Sequence, residues 1–191
     1  MKSSSKKILP SHVAILVPSV RKAADYLKQF DFKIGEEEAF EGEGTKEIYV
    51  ELGRANSLLL LEPFKPGAYQ RALEKRGPGL HHLAVDVLSL DSFLEAITPS
   101  GWLLHPVSLK TIKQTKTVWL SRPGFPALIE VHERKELNEE PLFVSEIILK
   151  MDPVHEKLLK PIGLETVIKL GSANEFSADG KKIKLSSLWN F

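Results

Sequence analysis

One stretch of this chain is written twice. Ser11-His12-Val13-Ala14-Ile15-Leu16-Val17 returns as His81-His82-Leu83-Ala84-Val85-Asp86-Val87, a shift of 70 positions that also pairs Ser19 with Ser89 and Val20 with Leu90. A chain with such a repeat is built from duplicated supersecondary units, and each unit buries its apolar face against its neighbour.

Each copy reads as a buried strand followed by a helix. Val13, Ile15 and Val17 share one face of the first strand and His12, Ala14 and Leu16 the other. In the second copy His82 and Ala84 lie opposite Leu83, Val85 and Val87, so the two histidines head their strands on corresponding faces. Pro18-Ser19 starts a helix whose stripe is Val20, Ala23, Ala24, Leu27 and Phe30. An extended segment opened by Asp31-Phe32-Lys33-Ile34-Gly35 and running into acidic Glu36-Glu37-Glu38, the alternating Glu47 to Leu52 and the apolar Leu58 to Glu62 then supply strands, separated by glycine-rich turns. The first unit is βαβββ over residues 9–63. A linker with a helical centre near Tyr69 and Leu73 leads to a second unit over 79–135, with a helix from Leu90 to Ile97 and strands at Trp102, Thr117 and Ala127 to His132. Aligning the last strands takes a shift of 71 and sets Leu59 against Glu130 and Glu62 against Glu133. The expected fold class is therefore α+β, with paired βαβββ modules forming a cupped mixed sheet.

Residues 136–191 read as an incomplete third βαβ-type module. Its strand at Phe143 to Leu149 carries Ser145 at the histidine position, a short helix follows over Pro153 to Lys160, and the chain is expected to end before a fourth strand. This unit is expected to stabilise the fold or its assembly, because an incomplete sheet offers an unpaired edge that needs covering by a partner strand. Residues 1–8 read as a tail.

Composition narrows the function. The net charge of +1 provides no field to attract nucleic acid or anionic lipid, and neither is an expected partner. No apolar run is long enough for a membrane span or a signal-peptide core, so the protein is expected to be cytoplasmic. With no cysteine, there is no disulfide and no thiolate site, and any metal must be held by His, Asp or Glu.

His12, His82 and Glu130 are such a set, placed on strands that a duplicated sheet brings together. Imidazole and carboxylate suit one divalent ion among Co, Mn, Ni, Zn and Fe, and three protein ligands leave positions open for a substrate. The same residues also fit a purely structural role, with the histidines bonded to backbone and Glu130 charged at a strand end. Both readings stand on the residues alone.

His12-Val13-Ala14-Ile15, Val50-Glu51-Leu52-Gly53, Leu60-Leu61-Glu62-Pro63, Gly79-Leu80-His81-His82-Leu83-Ala84 and Leu128-Ile129-Glu130-Val131 resemble stretches of the vicinal oxygen chelate superfamily (glyoxalase, bleomycin resistance protein, extradiol dioxygenase), and most closely the methylmalonyl-CoA epimerases. The resemblance runs from about Leu9 to Glu133. It implies paired βαβββ modules, metal ligands at His12, His82 and Glu130, and a homodimer acting on a small molecule such as an acyl-CoA. His81 falls beside a ligand position, in a supporting or structural role. The epimerases usually carry Glu or Gln where this chain has Leu59, which leaves three ligands. The implied reaction is epimerisation by removal of an α-proton, with the metal stabilising the enediolate and Glu130 at the reacting centre. Glu47 matches the stretch that carries a proposed base, Glu51 is a lesser candidate, and Arg122 is a guess for an anionic group. Two further readings remain: a non-haem Fe(II) ring-cleaving dioxygenase, and a metal-free binding or resistance protein for which Leu59 and Leu61 would line the pocket.

Overall fold

Two copies of a βαβββ unit meet along their first strands. In the first unit β1 (Ile8–Leu16) is followed by α1 (Val20–Lys28), β2 (Glu38–Phe40), β3 (Thr45–Val50) and β4 (Ser57–Pro63). The linker forms α2 (Ala68–Arg76). The second unit comprises β5 (Gly79–Val87), α3 (Leu90–Ile97), β6 (Leu103–Leu104), an inserted α4 (Ser108–Thr115), β7 (Thr117–Ser121) and β8 (Leu128–Glu133). The computed structural model describes residues 7–190, so most of the tail expected over residues 1–8 lies outside the described residues.

The strands form one eight-stranded mixed sheet in the order β2-β3-β4-β1-β5-β8-β7-β6. β1 runs parallel to β4 and β5 parallel to β8, while β1 and β5 lie antiparallel at the centre. The order is unchanged if the sheet is read from the other end with the units exchanged, as expected for a duplication.

The repeated residues outside the strands prove to be helix caps. Ser19 Oγ accepts from Lys22 N, and Ser89 Oγ accepts from Ser92 N. Glu62 accepts from Val20 N at 2.9 Å, and its counterpart Glu133 accepts from Leu90 N at 3.0 Å. Each helix thus starts against a carboxylate from the last strand of its own unit, which satisfies an orphan N–H and complements the helix dipole.

The two faces of the sheet differ. On the helix face Val13, Ile15 and Val17 pack with Val20, Ala23 and Leu27 of α1 and Leu90, Phe93 and Ile97 of α3 in one core. On the opposite face a small apolar cluster of Ala14, Leu16, Leu59 and Leu61 packs against Tyr69, Ala72 and Leu73 of α2. That helix covers the first unit's half of the ligand face.

The C-terminal segment departs from expectation in two respects. After β9 (Val144–Lys150), 3-10 turns over Pro153–Leu158 and Lys160–Ile162 replace the short helix, because Pro153 and Pro161 interrupt the run of backbone donors. β10 (Ile168–Gly171), β11 (Glu175–Ala178) and β12 (Lys181–Lys184) follow, so four strands are present rather than three. The second sheet has the order β10-β9-β11-β12. β10 lies parallel to β9, in the place that the last strand occupies in the other units, and the β11–β12 hairpin lies on the far side.

Among the described residues the two sheets share no strand pairing, and the second meets the first through the core. Phe143, Ile147, Leu149, Ile162 and Leu188 join the helix-face core, and the final 3-10 turn, Leu185–Leu188, packs on α1. Trp102 Nε1 donates to Leu158 O at 2.9 Å. Gly163, at φ 69°, meets Ile8 so closely that a Cβ would lie 2.7 Å from Ile8 Cβ. Only glycine combines that backbone with that approach.

Candidate metal centre

A pair of β-bulges aims the histidines. In the β1–β5 ladder Pro10 pairs with Val85 and His12 with Ala84, which leaves Ser11 as an extra residue; Ala14 pairs with His82 and Ile15 with Leu80, which leaves His81 as another. Ser11 and His81 are repeat equivalents, so each ligand histidine follows a bulge. A bulge interrupts the alternation of faces and re-aims the neighbouring side chains. Sequence neighbours that an unbroken strand would hold apart therefore meet, with His81 Nδ1 2.9 Å from His82 Nδ1.

Strand register assembles the rest. Ala84 pairs with His12 on one side and with Glu130 on the other, so both project from one row across β1, β5 and β8. His12 Nε2 lies 3.1 Å from His82 Nε2. Glu130 Oε2 lies 3.6 Å from His12 Nε2 and 3.5 Å from His82 Nε2. The ligand atoms of His12, His82 and Glu130 all fall within 4.8 Å of one another. Trp119 stands edge-on to His82 and Tyr49 edge-on to His12.

These residues fit a divalent metal. Donors bonded at about 2.1 Å to one ion are separated by roughly 3.0–3.4 Å along a coordination edge, and the three spacings lie close to that range. Burial lowers the His12 pKa from 6.5 to about 4 against the opposing charge of Glu130, and burial lowers that of His82 well below 6.5. Two neutral imidazoles with facing Nε2 lone pairs repel unless a proton or a cation lies between them. For His82 Nε2 to bind a metal, Nδ1 must carry the proton and donate it to His81 Nδ1. His81 is thus placed to act as the outer partner of a coordinating His82, itself held against the ring of Tyr69 at 4.7 Å.

Leu59 is the counterpart of Glu130 by register as well as by sequence. Ala14 pairs with Leu59 as Ala84 pairs with Glu130. Leu59 and Leu61 are 4% and 1% exposed beneath α2. They therefore do not line an open pocket, which corrects the role given them in the metal-free binding reading.

Glu47 lies on β3 opposite Leu61, and its carboxylate accepts from Thr45 Oγ1 at 2.7 Å. Burial raises its pKa from 4.5 to about 7, opposed by the Thr45 hydrogen bond and reinforced by the charges of Glu43, Glu130 and Glu38. Two other expectations are corrected. Glu51 lies past the end of β3 at φ 57°, where its carboxylate accepts from Lys33 N at 2.9 Å. Arg122 donates to Ser100 O and lies over Gly101, bracing a turn instead of binding a ligand.

His132 escaped the sequence reading. It follows Glu130 by two residues on β8 and so shares its face; that period of two was the available signal. Its Nε2 lies 3.3 Å from Glu130 Oε2 yet is buried with no hydrogen-bond partner among the described residues.

Duplicated βαβββ units that carry histidines on their central strands and a carboxylate on a closing strand define the vicinal oxygen chelate class of fold. The family model of the Glyoxalase/Bleomycin resistance protein/Dioxygenase superfamily matches residues 11–116, and the chain belongs to that superfamily. Among solved structures, a hypothetical protein of Bacillus halodurans C-125 is 26% identical, covering 71% of this chain and 100% of its own, with a TM-score of 0.57. A methylmalonyl-CoA epimerase from Mycobacterium tuberculosis is 22% identical over 69% of this chain and 90% of its own (TM-score 0.51). A Streptomyces coelicolor methylmalonyl-CoA epimerase variant in complex with 2-nitronate-propionyl-CoA is 18% identical over 66% and 98% (TM-score 0.50). No curated protein matches. Among the described residues no helix is long and apolar enough to cross a membrane.

Proposed function

We propose that the chain is a metal-dependent isomerase of the methylmalonyl-CoA epimerase type. The observation that carries this reading is the pairing, on one face of the sheet, of a His12–His82–Glu130 donor set with a carboxyl at Glu47 poised near neutral pH. When bound, a divalent ion supplies Lewis-acid stabilisation to the oxygen that gains charge as the α-proton leaves. His12, His82 and Glu130 hold it, and His81 keeps His82 in the coordinating tautomer. Glu47 takes the α-proton as its carboxylate. With a pKa near 7 it is basic enough to accept that proton and acidic enough to return one to the same carbon.

An acyl-CoA substrate is supported by a cavity of about 510 Å³ beside His81, between the linker and the C-terminal sheet. Arg76 and Lys184 line it with Leu80 and Trp189, a mixture suited to an anionic group on an apolar arm. In this reading the protein works in the cytoplasm, which its cysteine-free composition suits. It works as a homodimer, for which the apolar surface of Leu103, Leu104, Val107 and Leu109 offers an interface.

Deuterium uptake from heavy water into methylmalonyl-CoA, followed by NMR without oxygen, tests the reaction. Exchange should require added Co(II) or Mn(II), and Glu47→Gln should slow it by roughly 10²–10⁴-fold. Exchange that needs the metal but survives Glu47→Gln removes the base and keeps the reaction. Absent exchange, with oxygen consumed in the presence of Fe(II) and a catechol, places the chain among the dioxygenases.

A further inference from the structure

In an extension of the metal-site reading above, we propose that His132 is a fourth protein ligand of the metal and replaces the donor that Leu59 cannot supply. His132 is the repeat equivalent of Leu61, as Glu130 is of Leu59. In the first unit both positions are apolar and closed under α2. In the second unit both carry metal-binding side chains on one face of β8, next to the central histidines. Three of the four donors thus lie on β5 and β8 of the second unit, with His12 on the adjoining β1, away from the positions that the linker helix closes.

The orphaned nitrogen supports this assignment. A buried polar atom without a partner calls for an explanation, and a bound ion is among the recognised ones. The polar residues paired with His132 across the sheet make hydrogen bonds of their own: Asp86 Oδ1 on β5 accepts from Arg134 Nε at 3.1 Å, and Thr117 Oγ1 on β7 donates to Thr115 O. Glu130 Oε2 lies 3.3 Å away, but not in the alignment of a hydrogen bond. That spacing suits two neighbouring vertices of a coordination shell. Joining the shell takes a rotation of the His132 side chain, because the atoms within 4.8 Å of one another are those of His12, His82 and Glu130.

X-ray absorption at the metal edge of the Co(II)-loaded full chain, with chelator competition for affinity, tests the proposal. Wild type should fit three imidazoles, those of His12, His82 and His132, and His132→Leu two. Affinity should fall in His132→Leu by more than the roughly 10- to 100-fold expected for losing an outer partner. His132→Ala repeats the measurement if leucine disturbs β8, and the wild-type imidazole count stands without any variant. Two imidazoles in wild type, or an affinity within about tenfold in His132→Leu, overturns the proposal. His82→Ala separates the two levels. If it abolishes binding while the His132 variants bind within about tenfold of wild type, only the His132 assignment fails; if it binds as wild type does, or wild type binds nothing, the metal site itself fails.

Discussion

Glu47, as the proposed base, ties the expected exchange to pH. Its folded pKa is raised to about 7, so below that pH the side chain is a neutral acid and cannot accept the α-proton. The exchange rate should therefore fall about tenfold per unit as the pH drops below roughly 7 and level off above it. A profile measured from pH 5 to 9 checks this, and Glu47→Gln should erase the slope. The sign for stability is the reverse: between the unfolded value of 4.5 and about 7 the folded state holds a proton that the unfolded state has lost, so ionising Glu47 costs stability as pH rises through that window. Leu59 gives a second single-residue prediction. In the metal-free protein Leu59→Glu should lose roughly 1–3 kcal/mol where its carboxyl is protonated, and more as the pH rises and it must ionise, because the group enters the apolar cluster beneath α2. Added Co(II) should raise its melting temperature more than that of wild type, since the side chain starts from the register position of Glu130. Equal shifts in the two proteins would mean that α2 holds the new carboxylate away from the metal. The sequence was informative at this scale wherever it repeated: His12, His82 and the Leu59–Glu130 correspondence were all legible. His132 was not, because its counterpart Leu61 is apolar and the repeat draws no attention to it.

Helices and strands were legible where burial imposes a period. α3 was expected over Leu90 to Ile97 and is found there, because Leu90, Phe93 and Ile97 all face the core. α4 was not foreseen. Of its residues only Ser108 is buried and Leu109 is 77% exposed, so no apolar stripe marks it. The bulges at Ser11 and His81 were also invisible, since an extra residue in a ladder shows only against its partner strand. The exposed leucines have a consequence. β6 is the last strand of the sheet, and Leu103, Leu104, Val107 and Leu109 stand exposed along it and the start of α4. An uncovered strand edge flanked by apolar side chains favours pairing with another copy. Leu109→Lys should convert a dimer to a monomer in sedimentation or light scattering while leaving metal content unchanged. A wild-type monomer at micromolar concentration would remove the interface.

At the scale of the whole molecule the sequence showed the duplication and misjudged the C-terminal segment. Two matching strand-helix pairs with cap residues in register specify a pair of modules strongly, because sheet pairing, helix capping and core burial all agree. The segment after Arg134 lacks that agreement. Its likeness to the repeat is local, its helix is replaced by proline-bounded 3-10 turns, and its sheet has its own order. Its place in the fold follows mainly from burial. Phe143, Ile147, Leu149, Ile162, Phe176 and Leu188 are each at most 2% exposed and belong to the same core as α1 and α3. At about 1.5–3 kcal/mol for each large apolar side chain buried, their sum rivals the 5–15 kcal/mol of a typical domain's entire stability. A chain truncated after Arg134 keeps His12, His82, Glu130 and His132 but leaves the outer faces of α1 and α3 bare. It should lose its cooperative melting transition, bind a hydrophobic dye and aggregate at concentrations where the full chain stays monodisperse. Co(II) should restore little of the fold, because the ligands lie on the opposite face of the sheet from the lost core. A truncated chain that melts cooperatively within a few degrees of the full protein would show that the second sheet is an appendage and that the paired modules close their own core.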